Sequence, residues 1–123
     1  MIIDLRSDTV TTQTKEMKEA MFAAQVGDDV LGDDPSVIGL EHKAANLFGH
    51  EAALFCPSGT MTNQIAIKVH TQPLDEVICH EYSHIYQYES AGYALTSSVS
   101  MNLLQGDYGK LTAESIEAAI KPV

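Results

Sequence analysis

The residues best suited to chemistry in this sequence form a short polar turn, Ser58, Gly59 and Thr60. An apolar run ending at Phe55 precedes the turn and an amphipathic stretch over 64–69 follows it, an order typical of strand, tight turn and helix. The first N–H groups of a helix lack intrahelical acceptors, and the helix dipole places partial positive charge at the same end. The turn is therefore predicted to bind an anion such as phosphate; the alternative is an ordinary β–α turn whose small residues merely fit.

A second group of residues that could take part in catalysis lies at 80–84. Here His80, Glu81 and His84 match the H-E-x-x-H pattern of zinc proteases. In that pattern two imidazoles one helical turn apart bind the metal, and the glutamate acts as a base. Here His80 directly follows a strand-like run at 77–79, so the two histidines are not expected to share one helix face. Glu89 is too near in sequence to be a third ligand. The sequence therefore predicts no metal site, and a zinc hydrolase is kept as an alternative.

His84 and the polar turn both follow predicted strands. In open α/β sheets, ligands bind at the carboxyl ends of the strands, so these two features could meet at one cleft. An imidazole in such a cleft can stack on a flat aromatic ligand and can also move protons.

The elements that must position these groups follow from hydrophobic spacing and from capping residues. Helices alternate with strands after residue 50, which predicts an α/β fold with a mostly parallel sheet and flanking helices. Three strands are too few to complete such a sheet, so the chain is expected to be the front part of a larger protein. The predicted elements are helices from Thr14 to Gly27, Asp34 to Gly49, 60–70, 82–92 and from Thr112, and strands at 51–55, 75–79 and 98–104.

Composition excludes several function classes. The formal net charge is −10, and the 7 lysines and arginines are scattered, which argues against a nucleic-acid partner. No apolar run reaches the length of a membrane span, and the first residues lack a signal-peptide pattern. Both cysteines, Cys56 and Cys79, adjoin or lie in apolar runs and are predicted to be reduced. These features together predict a cytoplasmic protein with no membrane partner.

A set of stretches, in order along nearly the whole chain, carries a family resemblance: 4–11, 26–30, 32–35, 51–55, 57–61 with Asn63, 70–73, 75–79 and 84–86. By these stretches the chain resembles the N-terminal part of the low-specificity L-threonine aldolases, a family of fold-type I enzymes that use pyridoxal 5′-phosphate (PLP). The resemblance implies an aspartate-aminotransferase type of large domain, incomplete in this chain. It also implies two segments: an N-terminal arm, helix and interface loop at 1–35, and the first part of the PLP-binding domain at 36–123.

The resemblance implies roles for individual positions. The cofactor phosphate would be held by Ser58, Gly59 and Thr60, and His84 would stack on the pyridine ring. His84 is also the candidate catalytic base for the β-hydroxyl proton, directly or through water. Ser7, after Arg6, would help to bind the substrate carboxylate. The reaction would be cleavage of L-threonine or L-allo-threonine to glycine and acetaldehyde, with PLP as the electron sink.

One departure bears on activity. The family's Schiff-base lysine lies beyond position 123, and no lysine of this chain matches its motif, so the chain alone is predicted to be inactive. The resemblance further implies a homo-oligomer, a dimer or tetramer, with the N-terminal arm and the loop at 28–34 as interface candidates. A non-catalytic phosphate-binding module and another fold-type I lyase or a transaminase remain alternatives.

Overall fold

The computed structural model describes residues 3–122 of the chain. It confirms the predicted α/β class, because helices alternate with a parallel pair of strands in the second half. Two single 3-10 turns, Asp8–Val10 and Asp29–Leu31, precede the second helix. The regular elements are α1 (Lys15–Ala23), α2 (Pro35–Phe48), α3 (Gly59–His70), β1 (Glu76–His80), α4 (His84–Gln87), α5 (Gly92–Ser97), β2 (Ser100–Leu104) and α6 (Ala113–Ala119).

The chain divides into two compact units, Met1–Phe55 and Cys56–Val123. The first unit holds α1 and α2, and the second holds the sheet with α3 to α6. The division into segments 1–35 and 36–123 that the resemblance implies stays a prediction.

The helix starts of the first unit follow their capping residues. The Thr14 hydroxyl accepts a hydrogen bond from the Met17 N–H at 3.2 Å, so α1 begins where the sequence predicted. The predicted end of this helix at Gly27 is wrong, because α1 stops at Ala23. The Gly27 N–H instead donates to the Asp34 carboxylate at 2.9 Å, which makes Gly27 part of the following loop.

Asp34 is the cap of α2 and is buried. Its carboxylate accepts from the N–H groups of Gly27, Ser36 and Val37 at 2.8 to 2.9 Å. The hydrogen bond from Gly27, followed by that from Val37, lowers the pKa of Asp34 against the opposing effect of burial. The helix ends at Gly49, whose φ of 69° is left-handed, so both predicted boundaries of α2 are confirmed.

Because the pKa of Asp34 is lower in the folded than in the unfolded state, its stabilising effect is fully present above the unfolded value of about 3.9 and is lost as the pH falls through the folded value. We expect Asp34→Asn to lower the melting temperature at pH 7 by several degrees. On acidification, the melting temperature of this variant should fall by less than that of the wild type. Melting curves at pH 7 and about pH 3 measure both effects. Asp29→Asn is the control, since no hydrogen bond reaches the Asp29 carboxylate within residues 3–122. Equal acid sensitivity in all three proteins would contradict the assignment.

The predicted strand at 51–55 is wrong. These residues are not in a strand, and the Phe55 N–H donates to the Glu41 side chain of α2 at 2.7 Å. A strand needs the backbone of a neighbour as hydrogen-bonding partner, and within residues 3–122 none pairs with this run. The described sheet consequently has two strands instead of three.

In the second unit, β1 and β2 form a parallel pair with Glu76 opposite Ser100 and His80 opposite Leu104. The helices α4 and α5 lie on the crossover between them, as parallel strands require. Both predicted strands are confirmed to within two residues. The final helix is also confirmed: Thr112 caps α6 in a reciprocal capping box with Ser115.

The helix predicted over 82–92 is interrupted. Two short helices, α4 and α5, occupy this segment, because Ser90 (φ 51°) and Ala91 (φ 56°) are left-handed and cannot continue a right-handed helix. The break turns the Glu89 side chain into the interior, where the residue is 5% exposed.

Gly92 allows α5 to approach α3 closely. A Cβ at position 92 would lie 2.9 Å from Cδ of Gln64, whose amide is hydrogen-bonded on both sides, to Glu89 and Thr96. We expect Gly92→Ala to lower the free energy of unfolding by about 1–3 kcal/mol, because the amide must move. Urea denaturation of the protein measures this effect. Gly39→Ala, inside α2 with open space around its Cβ, is the control and should be neutral or stabilising. Equal stability of the two variants would contradict the close approach.

Candidate functional site

The polar turn at 58–60 is a helix N-terminus, as predicted. Ser58 is the N-cap of α3, and its hydroxyl accepts from the Met61 N–H at 3.1 Å. The Thr62 N–H bonds the Ser58 carbonyl. Within residues 3–122, no acceptor is bonded to the N–H groups of Gly59 and Thr60. Two exposed donors therefore remain at the positive end of a helix of 12 residues.

The space in front of this turn is open. A Cβ built on Gly59 meets no heavy atom within 4 Å, so a ligand oxygen can approach the backbone there. The Thr60 side chain is exposed and adds a hydroxyl donor beside the two N–H groups. The donor set and the open approach fit the phosphate of PLP.

His84 begins α4 with one ring nitrogen anchored and the rest of the ring exposed. Its side chain is 64% exposed, while Nδ1 lies 3.0 Å from Oε1 of Glu89. The Tyr88 ring is tilted by 45° against the imidazole at a centroid distance of 5.3 Å. An exposed ring that is fixed at one edge can present a face to a flat ligand.

Glu89 joins His84 to α3. Its side chain is 0% exposed, and it accepts hydrogen bonds from Asn63 Nδ2 at 2.7 Å and Gln64 Nε2 at 2.6 Å. Burial raises the pKa of Glu89, but the hydrogen bonds from Asn63, Gln64 and His84 outweigh it, so that the pKa is lowered overall. The carboxylate is therefore ionised at neutral pH. Because Asn63 lies one turn after the helix start, the turn and His84 belong to one connected group within the second unit.

The sequence analysis did not select Glu89 as a candidate site residue. No motif marks it, and its side chain would point outward or inward depending on where the helix around it breaks. No local signal predicts the break that turns its side chain inward, because serine and alanine do not favour the left-handed conformation that Ser90 and Ala91 adopt.

The H-E-x-x-H match does not form the helical pair that zinc requires. His80 ends β1, whereas His84 begins α4. The Nδ1 atom of His80 accepts from the Tyr82 N–H at 3.0 Å, and its Nε2 atom is buried without a hydrogen-bond partner among the described residues. Within residues 3–122 there is no cluster of three or more potential metal ligands.

The candidate substrate-binding residues lie in the first unit. The Arg6 guanidinium bonds the Asp4 carboxylate, with Nε 2.9 Å from Oδ1. The Ser7 hydroxyl accepts from the Thr9 N–H at 3.2 Å and so caps the 3-10 turn that follows. Their contact with a substrate stays a prediction.

An apolar groove of about 230 Å³ also lies between α3 and α5. It contains neither the polar turn nor His84. Its lining residues are Met61, Gln64, Ile65, Lys68, Val69 and Thr96. Among the described helices, none combines the length and apolar character needed to cross a bilayer.

Comparison with known proteins shows the family of the chain. The beta-eliminating lyase family model matches residues 4–123. A low-specificity L-threonine aldolase of Saccharomyces cerevisiae is 46% identical over 97% of this chain and 31% of its own length. The enzyme so named in Escherichia coli is 43% identical, over 98% of this chain and 37% of that protein. Low-specificity L-threonine aldolase 1 of Arabidopsis thaliana is 46% identical, over 97% and 34%. The chain thus spans about a third of the length of the curated relatives it matches.

Proposed function

Because the chain belongs to the beta-eliminating lyase family, we propose that it is part of a PLP-dependent aldolase that cleaves L-threonine and L-allo-threonine to glycine and acetaldehyde. The names of the relatives support this reaction, and the matches cover nearly the whole chain. The structural observation that carries the proposal is the link between the open start of α3 and the anchored imidazole of His84.

The turn supplies the anion-binding half of the site. The N–H groups of Gly59 and Thr60 and the Thr60 hydroxyl would donate to the cofactor phosphate. The Ser58 hydroxyl caps the helix start and keeps it in place. When it is bound, PLP supplies the electron sink for the electron pair of the Cα–Cβ bond. The overall acidity of the chain makes this local donor set necessary, since the long-range field repels anions.

His84 supplies the other half. Its exposed ring would cover one face of the cofactor, and its Nε2 atom would be the acceptor for the substrate's β-hydroxyl proton. Removal of that proton turns the hydroxyl oxygen into the carbonyl oxygen of acetaldehyde as the Cα–Cβ bond breaks. Ser7 and Arg6 are proposed to bind the substrate carboxylate, for which Arg6 has to exchange its Asp4 partner.

We also propose that the complete protein is a homo-oligomer in the cytoplasm. Large apolar side chains are widely exposed in the first unit, including Phe22 at 95% and Val30 at 94%, as expected of surfaces that another subunit or segment covers. Both cysteines are free thiols, which fits a reducing compartment.

The test is a PLP titration of the complete protein, followed by visible absorbance, with glycine and acetaldehyde measured after addition of each threonine isomer. We expect stoichiometric cofactor binding and turnover. Failure to become yellow would favour a non-catalytic phosphate-binding module. Cofactor binding without aldol cleavage would favour another fold-type I lyase or a transaminase. The 123-residue segment alone is expected to show no turnover, because none of its lysines matches the one that holds the cofactor in the family.

A further inference from the structure

We propose that Glu89 is a positioning residue that fixes the proton of His84 on Nδ1 and so leaves Nε2 as the proton-accepting atom. The inference rests on the proposed function for its catalytic consequence. The hydrogen-bond arrangement on which it is built stands independently of that function.

The first step concerns the direction of the hydrogen bonds at Glu89. Three nitrogen groups converge on this one buried carboxylate: Asn63 Nδ2 and His84 Nδ1 on Oε1, and Gln64 Nε2 on Oε2. An ionised carboxylate only accepts, so each of the three nitrogens must carry a hydrogen. For His84 this places the proton on Nδ1, and in the neutral ring Nε2 then holds the lone pair.

The second step concerns the rigidity of the carboxylate. Glu89 lies between the end of α4 and two left-handed residues, Ser90 and Ala91. Its side chain is fixed at both oxygens by residues of α3, and Gln64 is itself bonded to Thr96 through its other amide atom. His84 is therefore oriented by an acceptor that is fixed to the same helix that begins at the polar turn.

The third step concerns what a neutral residue could do in this position. A glutamine at position 89 offers one acceptor oxygen and one NH₂ group. It cannot accept from all three donors, and its NH₂ would face either the Gln64 amide or His84. If the NH₂ faces His84, it favours the opposite tautomer, in which Nε2 carries the proton and cannot act as a base.

The experiment measures the tautomer of His84 directly. Histidine labelled with ¹⁵N is introduced into the complete protein, and His84 is assigned by the loss of its signals in His84→Gln. We expect protonated Nδ1 and unprotonated Nε2 in the wild type, and loss of this state in Glu89→Gln. In the same variant we expect kcat for threonine cleavage to fall roughly 10- to 100-fold, with a small change in KM.

Two further variants separate positioning from a merely structural role. Gln64→Met removes a partner of Glu89 that does not contact His84, and we expect it to keep the wild-type tautomer with a smaller loss of kcat. Glu89→Asp keeps an acceptor-only group, and we expect it to restore the Nδ1 proton. Protonated Nε2 in the wild type, or equal losses of kcat in Glu89→Gln and Gln64→Met with unchanged tautomers, would overturn the inference.

Folding and cofactor binding are controlled separately. If circular dichroism shows that Glu89→Gln is unfolded, the His84 tautomers in the wild type and in Glu89→Asp decide whether Glu89 fixes the proton on Nδ1. If the wild type binds no PLP, the proposed function is wrong, and the tautomer measurement still decides whether Glu89 orients His84.

Discussion

Replacement of His84 by alanine should lower kcat for threonine cleavage in the complete protein by about 10²–10⁴-fold, the range that a positioned acid or base contributes. The same change should weaken PLP binding, because the exposed face of the ring is lost. Steady-state kinetics and a PLP titration of the complete protein measure the two effects.

The two roles of His84 can be separated with a second variant. His84→Phe keeps a flat ring for stacking but has no proton-accepting nitrogen, so we expect near-normal PLP binding together with the low kcat. His70→Ala, at the end of α3 in the same unit, is the matched histidine control and should keep both properties. Normal kcat in His84→Phe would leave stacking as the only role of the residue and assign the base elsewhere.

Local chemistry made much of the fold predictable. The α-helix starts at Thr14, Asp34 and Thr112 were predicted, because the capping side chain and the N–H group that donates to it lie within three residues of each other. The parallel strands were likewise visible as short apolar runs separated by a crossover.

Two of the wrong predictions depended on partners that are distant in sequence. The run at 51–55 has strand composition, but a strand exists only with a neighbour to pair with, and Phe55 instead donates to Glu41 of α2. Gly27 was predicted to end α1, but its N–H group donates to the carboxylate of Asp34, so Gly27 belongs to the loop before α2. In both cases the backbone N–H group donates to a side chain more than one helical turn away in sequence, and this hydrogen bond fixes the local backbone.

The candidate site likewise contains one feature formed by consecutive residues and one that depends on residues distant in sequence. The polar turn could be predicted from sequence, since a helix start is formed by consecutive residues. Glu89 could not, because the three donors to its carboxylate lie on two different elements and converge only after folding. A carboxylate in such a position is recognised by its burial and its partners, neither of which a sequence displays.

Introduction of an acidic residue at the start of α3 should uncouple the stability of the helix from its ability to bind the cofactor. We expect Gly59→Asp to lower the affinity for PLP by at least about 100-fold, because a carboxylate some 4 Å from a phosphate costs several kcal/mol at a partly screened site. The side chain would occupy the open space in front of the turn. A PLP titration of the complete protein measures the loss.

The same substitution should not destabilise the fold. A negative charge in the first turn interacts favourably with the helix dipole, and replacement of glycine reduces the entropy of the unfolded chain, so the melting temperature of Gly59→Asp without cofactor should be unchanged or higher. Ala113→Asp makes the corresponding change at the first position of α6, and it should leave PLP affinity intact. Comparable loss of PLP affinity in both variants would show that net charge, and not the anion site at α3, controls binding. If neither variant lost affinity, the phosphate would have to be held outside this turn.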